Sequence, residues 1–492
     1  MSTESVAIQK FSKYFNLSKS QFELDFVDVS VNNGDVPLFI DPYAISKRMD
    51  FWSVDCHNLV VSFFQNVVDK IKQGDEAGAK YALSELGEPN QTRFGLSRGD
   101  DPHGRGVGGE QSEDLYKALS DSTAIKTGLI QDLEECELMI EGIGRDKISD
   151  ITTNIIRHKL IEYTQFQCEL WNIRMESTPS GFVWDDVNKK WTNDYVLLPV
   201  CNRRSVLLVP KAIARFDIEF NHQEYYQHFV LNFLQSEHLN ANSSLVRTLR
   251  DGTKRPPTKK LLKEKNPLSK KFLYEFSKEH SEVLREYRGS KGSFIRELTN
   301  EDLLSISSEK NKETALDYKS LSEKLDSISA GGEFAADFHN HITGALTAIF
   351  YPFLMSPKKE QEIHDGRKRI DIVFQNAAHN GFFFELPNNK SVPSGYIFVE
   401  CKNYSGDPKN PELDQLAGRF SVNRGRFGFL VCRSFVDKNL FIKRCKDTAQ
   451  DGRGFILALD DNDIKNLLTL KSKNNLRGIN DFLESRYKEL VM

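Results

Sequence analysis

The sequence predicts an α/β protein, α+β when the whole chain is considered. A sheet flanked by helices fills the last third, preceded by a mainly helical region with a small β portion. Three observations carry this. After Gly331 a long apolar helix pattern is followed by strands, a helix and further strand–helix alternation. Between Trp52 and Ile71, Leu59, Phe63, Val67 and Ile71 recur every four residues, the spacing of an amphipathic helix. Between Phe182 and Phe216 the texture turns to short β-rich runs.

In chain order, Phe22 to Ile45 reads as two short strands around an Asn-Gly turn, ending at the helix start Asp41-Pro42. The glycine-rich segment Gly95 to Gln111 reads as a surface loop. Its second reading, through Arg98, His103 and Arg105, is a phosphate- or signal-binding loop. Helical patterns resume through Glu169. GFVWDDVNKKW then reads as a hairpin, and YVLLPV and SVLLVP as short β runs. Residues 221–240 are helical in pattern. Residues 247–271 hold ten basic and two acidic residues, and Pro256, Pro257 and Pro267 break any helix, so they read as a basic connector. That connector is either a solvated linker or a contact for nucleic-acid phosphates.

In the last third, Phe334, Phe338, Ile342, Ala345 and Ile349 share one helix face. A hairpin turns at Asp365-Gly366, GFFFEL is an optional strand, and YIFVECKNY is a central strand. PELDQLAGRFSVN is helical, and FGFLVCRSF and FILAL are further strands separated by helices.

Composition excludes more than it assigns. With 492 residues, 66 Lys+Arg against 70 Asp+Glu and 39% hydrophobic residues, the chain is globular and multidomain, with no overall basic footprint. No apolar run nears the ~18 residues that span a bilayer. MSTESVAIQKFSKYF lacks the pattern of a secretory signal. Seven scattered cysteines without a C-x-x-C pair point to reduced thiols in a cytoplasm and against a zinc framework. Gly104-x-Gly106-x-x-Gly109 follows no strand, so it is not a dinucleotide fingerprint. His339-Asn340-His341 falls within one helical turn, unlike the separated residues of an HNH nuclease. No phosphate-binding G-x-x-x-x-G-K-[ST] loop is present.

The chemistry lies in Asp371, Glu400 and Lys402. Alternate residues of a strand share a face, so Glu400 and Lys402 project side by side while Cys401 turns to the other face. If the strand of Asp371 lies alongside, two carboxylates meet at one point, suited to a hard cation such as Mg²⁺. A lysine beside them can position or deprotonate a water, or stabilise developing negative charge. Phosphodiester hydrolysis needs this combination. The bland alternative is a same-face ion pair on an exposed strand. The apolar run leading into Glu400 argues against it, because central strands tolerate unpaired charge poorly.

From Gly331 to about Leu470 the chain resembles the PD-(D/E)XK restriction-endonuclease-like nucleases, in texture the Mrr type. The carrying residues are Gly332-Glu333-Phe334, Asp371, Glu400-Cys401-Lys402 and Gln415. The resemblance implies a four-stranded mixed sheet with flanking helices. It implies Glu333, Asp371, Glu400 and the Cys401 carbonyl as ligands of Mg²⁺ or Mn²⁺. Lys402 becomes the catalytic lysine, and Gln415 the glutamine after the E-x-K strand. Asp337 and His341, on the same helical face as Glu333 at i+4 and i+8, can each substitute for it or orient a phosphate. The family's proline is absent, since Arg369-Ile370 precede Asp371, and 28 residues separate Asp371 from Glu400. Arg367, Lys368, Arg369, Arg419, Arg424 and Arg426 add positive charge around the site.

The expected organisation is therefore a regulatory or recognition region over 1–240, a basic and helical connector over 241–330 and a nuclease-like domain over 331–492. The expected activity is DNA phosphodiester hydrolysis by a cytoplasmic homodimer or higher oligomer, with antiphage defence and a partner defence protein as the setting by analogy. An RNA nuclease, or a non-catalytic nucleic-acid-binding module, is the alternative.

Overall fold

The chain is an α+β protein organised around two large hydrophobic cores. The computed structural model describes residues 9–32, 34–95, 109–292, 297–307, 318–359, 372–403, 406–408 and 410–492. Asp371, Arg367, Lys368 and Arg369, the turn at Asp365-Gly366, Asn33, and Arg98, His103 and Arg105 lie outside these residues.

The first core runs from Phe11 to Leu303. Its longest helix, α1 (Phe51–Gln73), matches the four-residue apolar repeat. Asp50 caps it by accepting from the Ser53 N–H, and Gly74, at φ 75°, ends it in the left-handed conformation that glycine adopts without strain. Asp41 likewise caps the Pro42–Ser46 helix, as the Asp-Pro signal predicts. The expected hairpin forms between Val183–Asp185 and Lys190–Thr192, where Trp184 faces Trp191 with ring centres 5.1 Å apart. Both indoles pack on Phe63 of α1. α2 (Arg157–Trp171) completes this region's contact with the second core.

Two β expectations fail here. Phe22–Val31 and Val206–Val209 are buried, yet neither forms a strand. Their backbone bonds go to scattered partners, such as Val27 N–H to Val209 O, Leu207 N–H to Gln91 O and Leu208 N–H to the Thr164 hydroxyl. Among the described residues they form only isolated bridges, Phe26 with Pro210 and Ser30 with Lys10, and no ladder extends from them. The basic stretch is also more ordered than a linker. It holds a short hairpin (Arg247–Thr248 with Lys254–Arg255) and a helix, Lys259–Lys265, fitted between its prolines. Leu262, Leu273, Phe276 and Leu284 complete the first core, whereas Leu321 and Leu325 join the second.

The second core surrounds the expected sheet. Helix α3 (Ala335–Phe350) precedes β1 (Leu354–Lys359) and β2 (Ile372–Asn376). Then come α4 (Gly381–Asn388), β3 (Tyr396–Lys402), α5 (Asn410–Ala417) and β4 (Phe427–Cys432). The chain closes with α6 (Lys438–Gln450), β5 (Phe455–Leu459), α7 (Asp461–Ser472) and α8 (Leu476–Val491). Among the described residues these five strands form one mixed sheet in the order β1-β2-β3-β4-β5. β1–β2 and β2–β3 are antiparallel, while β3–β4 and β4–β5 are parallel. The parallel strands are covered on both faces, which is why FGFLVC and FILAL are unbroken apolar runs.

GFFFEL is a helix, not a strand. Phe382, Phe383 and Leu386 are buried while Phe384 is exposed, and Asn480 of α8 accepts the Phe382 N–H at 2.9 Å.

β1 is an edge strand, and three devices close it. A bulge lies between Met355 and Lys358, Pro357 lacks an N–H to offer, and the first region lies along it. Gln167 of α2 donates to Pro357 O at 2.9 Å, and the Trp52 N–H donates to Gln375 at 3.3 Å. Phe51 stacks on Tyr396 with ring centres 5.3 Å apart. Among the described residues no helix is long and apolar enough to cross a membrane.

Candidate active site

Glu400 and Lys402 end β3, beside the carboxyl end of the parallel strand β4, the edge at which open α/β sheets bind ligands. They share a face by strand geometry, and Lys402 Nζ sits 2.5 Å from Glu400 Oε1. Glu400 is 1% exposed and the Lys402 side chain 20%, so the carboxylate is sunk while the lysine side chain is partly open to solvent. Gln415, on α5, accepts from Lys402 Nζ at 3.5 Å. Arg419, just past α5, places Nη1 3.3 Å from Glu400 Oε2, and among the described residues that oxygen accepts no hydrogen bond. Burial pushes the Glu400 carboxyl above its usual range, and the charges of Lys402 and Arg419 pull it part of the way back.

Glu333 arrives by a different route. It lies exposed on a 3₁₀ turn, Gly332–Phe334, at the foot of α3. The Gly331 N–H donates to Asn403 O at 2.7 Å, and Asn403 Nδ2 donates to Ser329 O and Gly331 O. The residue directly after Lys402 thus ties the turn bearing Glu333 to the end of β3. Arg433, at the end of β4, secures the same junction. It donates to Asn403 Oδ1, to the carbonyls of Ile328 and Leu325 and to Asp461, with its guanidinium over Phe338. Sequence reasoning missed Asn403 and Arg433. Their position at the carboxyl ends of adjacent parallel strands is the signal that could have found them.

Cys401 packs against the second core, and burial raises its thiol well above the usual value. His341 turns away from the Glu400 cluster toward Lys19, Glu23 and Lys324, and burial lowers it to about 4. Lys19 donates to Asn340 O, and a side chain added at Gly344 would collide with Glu23 and Lys19. That histidine face belongs to the contact between the two regions. Asp337 is exposed. Arg424 lies with its guanidinium 5.1 Å from the Phe398 ring centre.

Asp371 lies outside the described residues. Ile372, the first described residue of β2, pairs with Val399, immediately before Glu400. Among the described residues no group of three His, Cys, Asp or Glu side chains could hold a metal ion. Among the described residues Glu400 Oε2 has an ion-pair partner in Arg419 but no hydrogen-bond donor, and such a buried oxygen fits a cation because it is costly to keep without a donor.

Residues 16–221 match the family model described as a domain of unknown function, DUF8370. No curated protein and no solved structure matches the chain.

Proposed function

We propose that the chain is a metal-dependent nuclease acting on DNA, with Glu400 and Lys402 at the centre of its active site. The observation that carries this reading is a charged pair on a buried central strand, where Lys402 joins a sunk Glu400 to solvent. On this reading Asp371 supplies the second carboxylate, and Glu400, the Cys401 carbonyl and Glu333 are the other ligands of Mg²⁺ or Mn²⁺. When bound, the ion supplies Lewis acidity at a phosphoryl oxygen. Lys402 would leave Glu400, with Gln415 holding its amine, and stabilise the negative charge that develops as water attacks phosphorus and the P–O bond to the departing sugar oxygen breaks. Arg419, freed from the same carboxylate, neutralises the phosphate backbone. A homodimer, a cytoplasmic setting and a role in antiphage defence are parts of the same proposal.

A second reading has its own support. Lys402 and Arg419 already neutralise Glu400, as in a non-catalytic binding module whose acidic residue is structural. Incubating plasmid DNA and RNA with Mg²⁺ or Mn²⁺ separates the two. Wild type is expected to cut DNA, and Lys402→Ala and Asp371→Ala to lose roughly 100- to 1,000-fold in rate, the usual cost of removing one transition-state partner. Equal cutting by wild type and variants would sink the nuclease reading. RNA cut in preference to DNA would correct the substrate.

A further inference from the structure

The hairpin around Gly252 lies outside the candidate active site, and its charges are arranged in a way that folding alone does not favour. Arg247 and Arg255 stand directly opposite each other across the two strands, and Lys254 faces Thr248. Like charges placed opposite one another destabilise a ribbon. Arg250 lies at its tip, and Arg247, Arg250, Lys254 and Arg255 are all exposed. Among the described residues none of the four has an acidic partner. The one acid of the hairpin, Asp251, accepts instead from the Thr253 N–H at 2.9 Å.

The ribbon is nonetheless built. Leu249 N–H donates to Thr253 O, Gly252 N–H donates to Leu249 O, and Gly252 takes φ 81° to close the turn. Behind it, Gln235 donates to Pro257 O at 2.7 Å. Lys259 and Lys263 donate to the backbone and side-chain oxygens of Gln227, seating the following helix on buried Leu262. A firmly seated ribbon of unpaired cations calls for a polyanion.

Three features choose among polyanions. The loop joining the strands exposes a single apolar side chain, Leu249, among charged and polar neighbours, too little apolar surface to seat in a lipid layer. Three of the four cations are arginines, whose planar fork matches phosphate oxygens. A two-stranded ribbon fits the major groove of B-form DNA, whereas the major groove of A-form RNA is too deep and narrow to be read by side chains.

We propose that the Arg247–Arg255 hairpin is a docking ribbon for duplex DNA, lying in the major groove with its four cations on the flanking phosphates. The inference does not require that Glu400 and Lys402 cut anything, because docking needs no metal.

The test is binding of the full chain to a labelled 20-base-pair DNA duplex in EDTA, followed by anisotropy from 50 to 200 mM salt. Each phosphate neutralised on B-DNA contributes about 0.9 to the slope of log affinity against log salt. Wild type should therefore lose roughly 150-fold more affinity over that range than Arg247→Gln/Arg250→Gln/Lys254→Gln/Arg255→Gln. The single exposed change Arg250→Gln leaves the ribbon intact and should lower the slope by about 0.9. Unchanged slopes in both variants, with unchanged thermal melting, overturn the proposal. Equal affinity for an RNA duplex of the same sequence also overturns it. Cleavage is blocked throughout, so a failure here and a failure of the nuclease reading are distinguishable.

Discussion

Two buried charge clusters, one in each region, use similar residues to opposite ends. In the first region Arg48, 5% exposed, donates to Asp50 at 2.9 Å, to Glu297 at 2.8 Å and to the Met355 sulfur at 2.7 Å. All its partners are buried, and the cluster is closed to water. In the second region Glu400 is as deeply buried and Arg419 stands 3.3 Å from one of its oxygens, but its other partner, Lys402, is 20% exposed, and among the described residues that oxygen accepts no hydrogen bond. A closed cluster fixes how two parts of a protein pack. An open one keeps a charge that can exchange partners, which is what a site of chemistry requires.

The largest expected effect breaks the closed cluster. Arg48→Met leaves Asp50 and Glu297 buried without a cation and should cost about 3–5 kcal/mol in urea denaturation. The open cluster should respond less: Lys402→Met leaves Glu400 with Arg419 as a cation and should cost clearly less stability than the Arg48 change, while plasmid cutting falls as described above. A midpoint that falls as far as in the Arg48 variant would make Lys402 a structural residue.

Glu400 sharpens the contrast through pH. Its folded carboxyl titrates above its unfolded value, so the folded state holds more protons and stability falls as pH rises through that interval. Glu400→Gln should therefore melt higher than wild type at neutral and alkaline pH, and the gain should fade toward acid. Lys211 has the reverse sign. Burial lowers its amine to about 7, so below that pH the full cost of a buried ammonium is present. Stability should rise between about pH 7 and 10, and Lys211→Met should flatten that rise in paired urea titrations. The smallest effect tests the seam between the regions. Phe51, 51% exposed, stacks on Tyr396, and Phe51→Ala should cost about 0.5–1.5 kcal/mol.

What the sequence revealed follows from where periodicity meets a regular partner. The helix from Phe51 to Gln73 was legible because its apolar repeat faces one core. β3 was legible because an apolar run ending in Glu-Cys-Lys has few other uses in a central strand. GFFFEL misled because three phenylalanines favour a strand in isolation. Docking on α8, with Asn480 taking the first N–H, decided for helix. The run Val206–Val209 misled because burial was read as pairing, while its bonds go to a loop and a threonine. At the site, Glu400 and Lys402 share a face as their i, i+2 spacing requires, while Gln415, named only through the resemblance, lies 3.5 Å from the Lys402 amine. Asn403 and Arg433 stayed hidden because their work is to tie backbone ends that are adjacent only after folding.

The covered edge of β1 has a consequence for how such a chain can be inherited. A piece beginning at Gly331 would uncover the carbonyl of Pro357, the sulfur of Met355 and the amide of Gln375, whose partners Gln167, Arg48 and Trp52 lie far upstream. It would also lose Phe22, which fills the second core from outside it. Recombination at the basic stretch therefore hands on an open sheet edge and a gap, not a working module. The smallest piece that can be transplanted whole is a pair: the sheet together with the helices that close it.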